Sequence, residues 1–225
     1  MNDVNKKAFS GFLKLIVVVA VSMFVVAGTV DYWQAWVFFV VFFGSALAIT
    51  FYLAKNDPKL LERRINAGPR DETEKSQKII QLLAAIAFIA VLVVPALDHR
   101  FGWSTVPPYV CIVGDILVAL GFGAVFFVFR ENTFASAIIE VGSEQKIIST
   151  GPYALVRHPM YIGALVMLLG VPLALGSWWG LLTIIPMTLV IVWRLLEEEK
   201  FLAENLSGYS DYQSKVKYRL LPFAW

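Results

Sequence analysis

Arg194 ends a long apolar run and is followed at once by Glu197, Glu198 and Glu199. If the helix continues past Leu196, Arg194, Glu197 and Glu198 share one face through i+3 and i+4 spacing. A guanidinium and carboxylates gathered in this way can orient an anion, pair with an ammonium group or move a proton. The same spacing also suits a plain intrahelical ion pair worth roughly 0.2–0.5 kcal/mol. A second candidate stretch lies upstream, running from Gln145-Lys146-Ile147-Ile148 through Gly151-Pro152-Tyr153 to Arg157-His158-Pro159-Met160-Tyr161. Its Gly-Pro turn and its His-Pro pair force extended, non-helical backbone just before an apolar segment. Non-helical backbone at membrane depth is tolerated where it is buried in protein or lines a cavity. Taken by type alone, Arg157 and His158 most often mark an interfacial basic cluster, and the glutamates a solvated helix end.

The elements that must carry these residues are membrane spans. Hydrophobic residues make up 58% and charged residues 16% of the chain, and mean hydropathy is +0.69; this fits a bilayer solvent and not a water-exposed surface. Apolar runs near the ~20 residues needed to cross the hydrocarbon core occur at 11–30, 32–53, 79–97 and 109–129. A fifth apolar stretch, Tyr161 to Leu196, is too long for one helix and is interrupted by Gly176-Ser177-Trp178-Trp179-Gly180, so it reads as two short helices in a hairpin. The expected fold is all-α: a polytopic helical membrane protein of about six transmembrane helices, the last two a short hairpin over 160–196, with a cytosolic C-terminal cofactor-binding lobe. The chain divides into residues 1–129, four helices with a loop at 54–78, and residues 130–225, which hold the chemistry. The 54–78 loop, with an amphipathic helix, reads as interfacial padding.

Of the 19 Lys and Arg residues, all but Arg100 fall on the N-terminus, the 54–78 loop, the 130–158 loop, the tail and the inner helix ends. Because positive residues are retained in the cytoplasm, both termini and the active site are expected to be cytosolic. The net charge of +2, dispersed among acids, argues against nucleic acid as a partner. With one cysteine, Cys111, and two distant histidines, His99 and His158, no disulfide and no metal site are expected. Lys14 can snorkel from the first span, whereas Asp115 inside the fourth span suits either a functional carboxylate or a packed polar group.

From about residue 130 onward the sequence resembles the isoprenylcysteine carboxyl methyltransferase and phospholipid methyltransferase group of integral membrane enzymes. The resemblance rests on Gly-x-Tyr-x-x-x-Arg-His-Pro-x-Tyr at Gly151 to Tyr161, the hairpin, Arg194 with the Glu run, and Gly208, Tyr212, Val216, Arg219 and Pro222 in the tail. It implies S-adenosylmethionine as methyl donor, with contacts from Gln145, Lys146, Ile147, Ile148, Tyr153, His158, Pro159, Met160, Tyr161 and Glu198. It further implies Arg194 as the substrate-orienting residue, with Arg194 and Glu198 as the catalytic pair.

Such a donor carries an ammonium, a carboxylate, a sulfonium and an adenine. Glu198 suits the ammonium, His158 and nearby backbone the other polar atoms, and Tyr153 and Tyr161 the walls and the sulfonium. The acceptor is expected to be a lipophilic molecule drawn from the bilayer, first an isoprenylcysteine-type carboxylate aimed by Arg194, alternatively a phospholipid. An amine acceptor must lose a proton, and Glu197 or Glu199 is the expected base. Membrane lipids are the expected surroundings, and no obligate protein partner is implied. Tyr209, Tyr212 and Val216 form one helical stripe, expected to lie on the site or the bilayer. The tail Tyr218-Arg219-Leu220-Leu221-Pro222 also resembles NADPH-dependent sterol-type reductases, although Pro159-Met160 before Tyr161 and Ile162-Gly163-Ala164 after it depart from their pattern.

Overall fold

The structure, a computed structural model, describes residues 3–65, 72, 74–142 and 145–225. Eight α-helices are described: α1 (Asp3–Ala20, prolonged by one π turn over Val21–Val25), α2 (Trp33–Asn56), α3 (Pro58–Ile65), α4 (Lys75–Phe101), α5 (Pro108–Glu131), α6 (Pro159–Ala174), α7 (Ile184–Asn205, preceded by a 3-10 turn over Trp179–Thr183) and α8 (Tyr209–Lys215). Five of them, counting each turn with its helix, are long and apolar enough to cross a membrane. The protein is a polytopic helical membrane protein. Among the described residues a sixth apolar helix, α6, is shorter, with 16 residues, as expected for one arm of the hairpin. The hairpin is also lopsided, because its second arm runs 27 residues from Trp179 to Asn205 and is not short.

That asymmetry creates the recess in which the candidate chemistry sits. At 1.5 Å per residue α6 covers about 24 Å, short of the ~30 Å hydrocarbon core. Its N-terminus is set by Pro159, whose missing N–H suits a first helical turn. The chain ahead of it, Gln145 to His158, has extended backbone and a 3-10 turn at Gly151–Ala154. The longer α7 runs on past this point and exposes its Arg194–Leu206 face to the recess.

Close helix packing holds α6 against α5. Four glycines pair across this interface at heptad spacing: a Cβ on Gly170 would lie 2.6 Å from the Gly114 carbonyl oxygen, and one on Gly121 would lie 2.6 Å from the Gly163 carbonyl oxygen. Lipid tails are as apolar as the side chains, so tight backbone approach of this kind, not apolar burial, drives association in a bilayer. At the other end, the buried Asp98 carboxylate accepts from the Ser104 amide (2.7 Å), the Ser104 hydroxyl (2.6 Å) and the Ser177 hydroxyl (2.5 Å). The Tyr32 hydroxyl donates to the Leu175 carbonyl at 2.6 Å. These bonds fix the hairpin turn, where Gly176 takes φ +72°, a region that favours glycine. Thr29–Asp31, residues 98–108 and the turn thus meet at one end; the loops after α2, α4's start, α5's end and the tail meet at the opposite end.

The α5–α6 contact predicts a position-specific pattern. Gly170→Ala and Gly121→Ala each lower the thermal midpoint of the detergent-purified protein, by about 1–3 kcal/mol of overpacking. Gly123→Ala, on the same helix with nothing within 4 Å of an added Cβ, leaves it unchanged or raised.

Candidate active site

A cavity of about 330 Å³ opens beside the extended 145–158 segment, between α6, α7, α8 and the loop following α5. Every residue that the family resemblance implicates in donor binding or substrate orientation lines it: Gln145, Lys146, Ile147, Ile148, Tyr153, His158, Pro159, Met160, Tyr161, Arg194 and Glu198. They come from two stretches of the chain, 145–161 and 194–198, and each is placed by a definable local constraint.

Glu198 faces the cavity and accepts a 2.6 Å hydrogen bond from the Tyr161 hydroxyl. Leu202 and Leu206 continue the same i+4 stripe and also line it. After Leu206 the chain turns through Gly208, at φ +83°, where a Cβ would stand 3.2 Å from the Ile147 side chain. Glycine thereby admits both the left-handed turn and the close approach of a cavity wall. α8 then lies over the site, with Tyr209 and Tyr212 buried. The Tyr212 hydroxyl donates to the Tyr153 carbonyl (2.7 Å), and the Asn132 amide donates to the Tyr153 hydroxyl (2.9 Å). Burial pushes the Tyr153 phenol up to about 12 and raises Tyr209 and Tyr212 as well. These rings are therefore neutral at physiological pH.

Arg157 and His158 are not an interfacial basic cluster. Both are buried against Glu199. Arg157 Nε donates to Glu199 Oε1 at 2.5 Å, His158 Nε2 lies 3.2 Å from the same oxygen, and Arg219 Nε donates to Oε2 at 2.8 Å. Arg157 Nη1 also donates to the carbonyls of Val216 and Lys217, and the amides of Arg157 and His158 donate to the carbonyls of Tyr218 and Arg219. One carboxylate thus joins α7, the turn before α6 and the C-terminal tail.

The three glutamates of the run diverge. Glu199 is enclosed in that network. Glu197 points toward the start of α4, accepting from the Ser76 hydroxyl at 3.2 Å in a separate polar groove. Neither is placed to deprotonate an acceptor in the main cavity, which corrects the expectation that one of them serves as a base. Arg194, likewise, does not form the intrahelical pair that its spacing allows. Among the described residues its ion pair is with buried Glu72, at 3.0 Å, and it also donates to Gln77 (3.2 Å) and the Ala137 carbonyl (2.9 Å). Asp115 lies away from the cavity, buried, with neither carboxylate oxygen hydrogen-bonded.

The 54–78 segment is not padding. Its amphipathic helix is α3; residues 66–71 and 73 lie outside the described residues. Asp57 caps α3 by accepting from the Leu60 amide and also accepts from the Thr133 hydroxyl. Arg63 donates to the Thr133 carbonyl, Arg64 to the Ser136 carbonyl, and Glu72 accepts from the Gln81 amide group and the Ile139 backbone amide. These bonds shape the 132–139 loop into one cavity wall, and Arg64 itself lines the cavity. Sequence reasoning missed Arg64, Glu72 and Asn132. The alternation of Leu60–Leu61 with Arg63–Arg64 marked an amphipathic helix, but nothing in it disclosed what the helix faces.

Residues 109–208 match the family model of phospholipid methyltransferases. Over that stretch, from the first turn of α5 to the Gly208 turn and less than half of the chain, the sequence is similar to this family of membrane methyltransferases. A search of curated proteins found no match to the chain. The matched stretch covers every cavity residue implicated from the sequence, while the tail Tyr218–Pro222 shared with sterol-type reductases lies beyond it.

The Glu199 network predicts a structural phenotype. Removing one member of a buried charge cluster costs roughly 3–5 kcal/mol, because the remaining charges are left uncompensated. Glu199→Gln is expected to lower the thermal midpoint accordingly and to render residues 206–225 susceptible to limited proteolysis; an intact tail at wild-type stability would contradict the arrangement.

Proposed function

We propose that this membrane protein is a methyltransferase that uses S-adenosylmethionine to methylate the carboxylate of an isoprenylcysteine-type lipid at the cytosolic membrane surface. The observation that carries the acceptor assignment is the disposition of the glutamates: Glu198, the one member of the run that faces the cavity, is engaged by Tyr161, while Glu197 and Glu199 are turned elsewhere. An acceptor that is already anionic needs no base, and this disposition of the glutamates supports such an acceptor. The charge asymmetry of the loops supports the cytosolic orientation.

The cavity fits the donor in size and in lining. About 330 Å³ falls within the ~300–1,000 Å³ range of small-molecule sites. Glu198 would hold the ammonium, Ile147 and Ile148 would wall the adenine, and the ring faces of Tyr153, Tyr161, Tyr209 and Tyr212 suit a sulfonium. When bound, the donor supplies an electrophilic methyl group whose leaving group is a neutral thioether. The protein's task is then alignment and exclusion of water. Three of Arg194's five N–H donors are taken by Glu72, Gln77 and Ala137, and the Tyr161 hydroxyl stands beside the same guanidinium; what remains uncommitted would aim the acceptor carboxylate. Glu72 makes that aim rigid. The reaction turns an anion and a cation into a neutral ester and a neutral thioether, so dry apolar walls such as Leu202 and Leu206 favour it over the same reaction in water.

A phospholipid amine is the second reading, supported by the family match and by Glu140, an exposed carboxylate at the cavity rim. The two readings separate by product chemistry. Protein in lipid vesicles, supplied with radiolabelled methyl donor, is offered S-farnesylcysteine with a blocked amine or phosphatidylethanolamine. Carboxyl methylation yields an alkali-labile label on the farnesylcysteine, abolished in Arg194→Ala; an alkali-stable N-methyl product on the phospholipid overturns the carboxylate assignment.

A further inference from the structure

The cavity displays one cation whose charge nothing in the described protein balances. Arg194 is paired with Glu72, and Arg157 with Glu199. Lys146 is exposed at the mouth, where water solvates its charge. Arg64 differs from all three. It is half-buried on the cavity wall; its Nη1 donates to the Ser136 carbonyl (3.0 Å) and lies 3.9 Å from the Met160 sulfur, and its guanidinium stands 5.1 Å from the Phe129 ring centroid. Among the described residues no carboxylate pairs with it. Burial lowers its pKa to about 10, with Arg194 adding repulsion, yet it remains charged at neutral pH. A guanidinium has five N–H donors, and most of those on Arg64 are uncommitted beside an open cavity.

Arg64 and Glu198 flank a common residue. Tyr161 donates to Glu198 and neighbours Arg64 closely enough to interact electrostatically with it, while Met160, the preceding residue, touches Arg64. The cavity therefore presents an uncompensated cation and an inward carboxylate on either side of one phenol, the complement of an amino-acid zwitterion. We propose that Arg64 is the carboxylate-binding residue of the cavity and takes the α-carboxylate of the methyl donor while Glu198 takes its ammonium. This rests on the donor reading above and extends it to a helix outside the matched stretch.

The test compares two ligands on the full-length protein in detergent: S-adenosylhomocysteine and its decarboxylated analogue, which keeps the adenosine, thioether and amine. Arg64→Gln is expected to weaken S-adenosylhomocysteine binding by about 30-fold or more and to leave the analogue's affinity at the wild-type value. Arg64→Lys, which keeps the charge and guards against a folding defect, is expected to recover most of the loss. Equal weakening of both ligands by Arg64→Gln would mean that Arg64 only supports the 132–139 loop and would overturn the proposal. Unchanged S-adenosylhomocysteine affinity with a raised KM for the prenylcysteine acceptor would assign Arg64 to the acceptor's carboxylate and overturn it equally. Failure of the wild-type protein to bind S-adenosylhomocysteine at all would instead reject the donor reading, and the proposal with it.

Discussion

The Glu199 carboxylate is the interaction on which the rest of the site depends. Its two oxygens bind Arg157, His158 and Arg219, tying the end of a membrane helix to the turn before another and to the C-terminal tail. A buried charge cluster is an expensive way to hold three segments, since desolvation offsets much of its Coulombic attraction. What it supplies is register. With Arg157 and His158 turned toward Glu199, Tyr161 falls one helical turn further on, where its hydroxyl meets Glu198. The tail, bonded along Arg157 and His158, carries α8 back over the cavity. Two tasks are divided between adjacent glutamates: Glu199 locks the frame, and Glu198 faces the cavity.

The location of the cavity follows from a length mismatch that the membrane imposes. α6 is too short to match α7, and the deficit is filled by extended chain that lines the recess. The glycine pairs of the α5–α6 interface set how deep α6 sits, and the Asp98–Ser177 bond pins the far end of the hairpin. A lipophilic acceptor can approach such a recess laterally while a soluble donor reaches it from the aqueous side. The N-terminal half completes the enclosure: α3 and Glu72 brace the 132–139 loop and bring Arg64 and Arg194 to their positions.

Local patterns in the sequence disclosed the spans, the hairpin break at Gly176 and the Arg194–Glu198 stripe, because span length and i+4 spacing are properties of contiguous chain. The membership of the cavity lining came from the family resemblance at Gly151 to Tyr161 and not from spacing. Partnerships across the fold stayed hidden. Nothing local marks Glu72 as the partner of Arg194, some 120 residues away, and ordinary statistics favoured solvent for Arg157 and His158, which are buried. The three consecutive glutamates were indistinguishable as letters; the 100° step between helical neighbours sends one to each of three environments. The full length of α7 was masked, because its continuation beyond Leu196 to Asn205 runs through polar residues that carry no span signal.

The central claim, that the cavity between the 145–158 segment and α7 receives a methyl donor, is tested most directly by ligand-induced thermal stabilisation of the purified protein, because a ligand that binds the folded state raises its apparent stability by mass action. S-adenosylhomocysteine is expected to raise the midpoint, NADPH to leave it unchanged, and Glu198→Ala to abolish the rise. A rise with NADPH and none with S-adenosylhomocysteine would contradict the account.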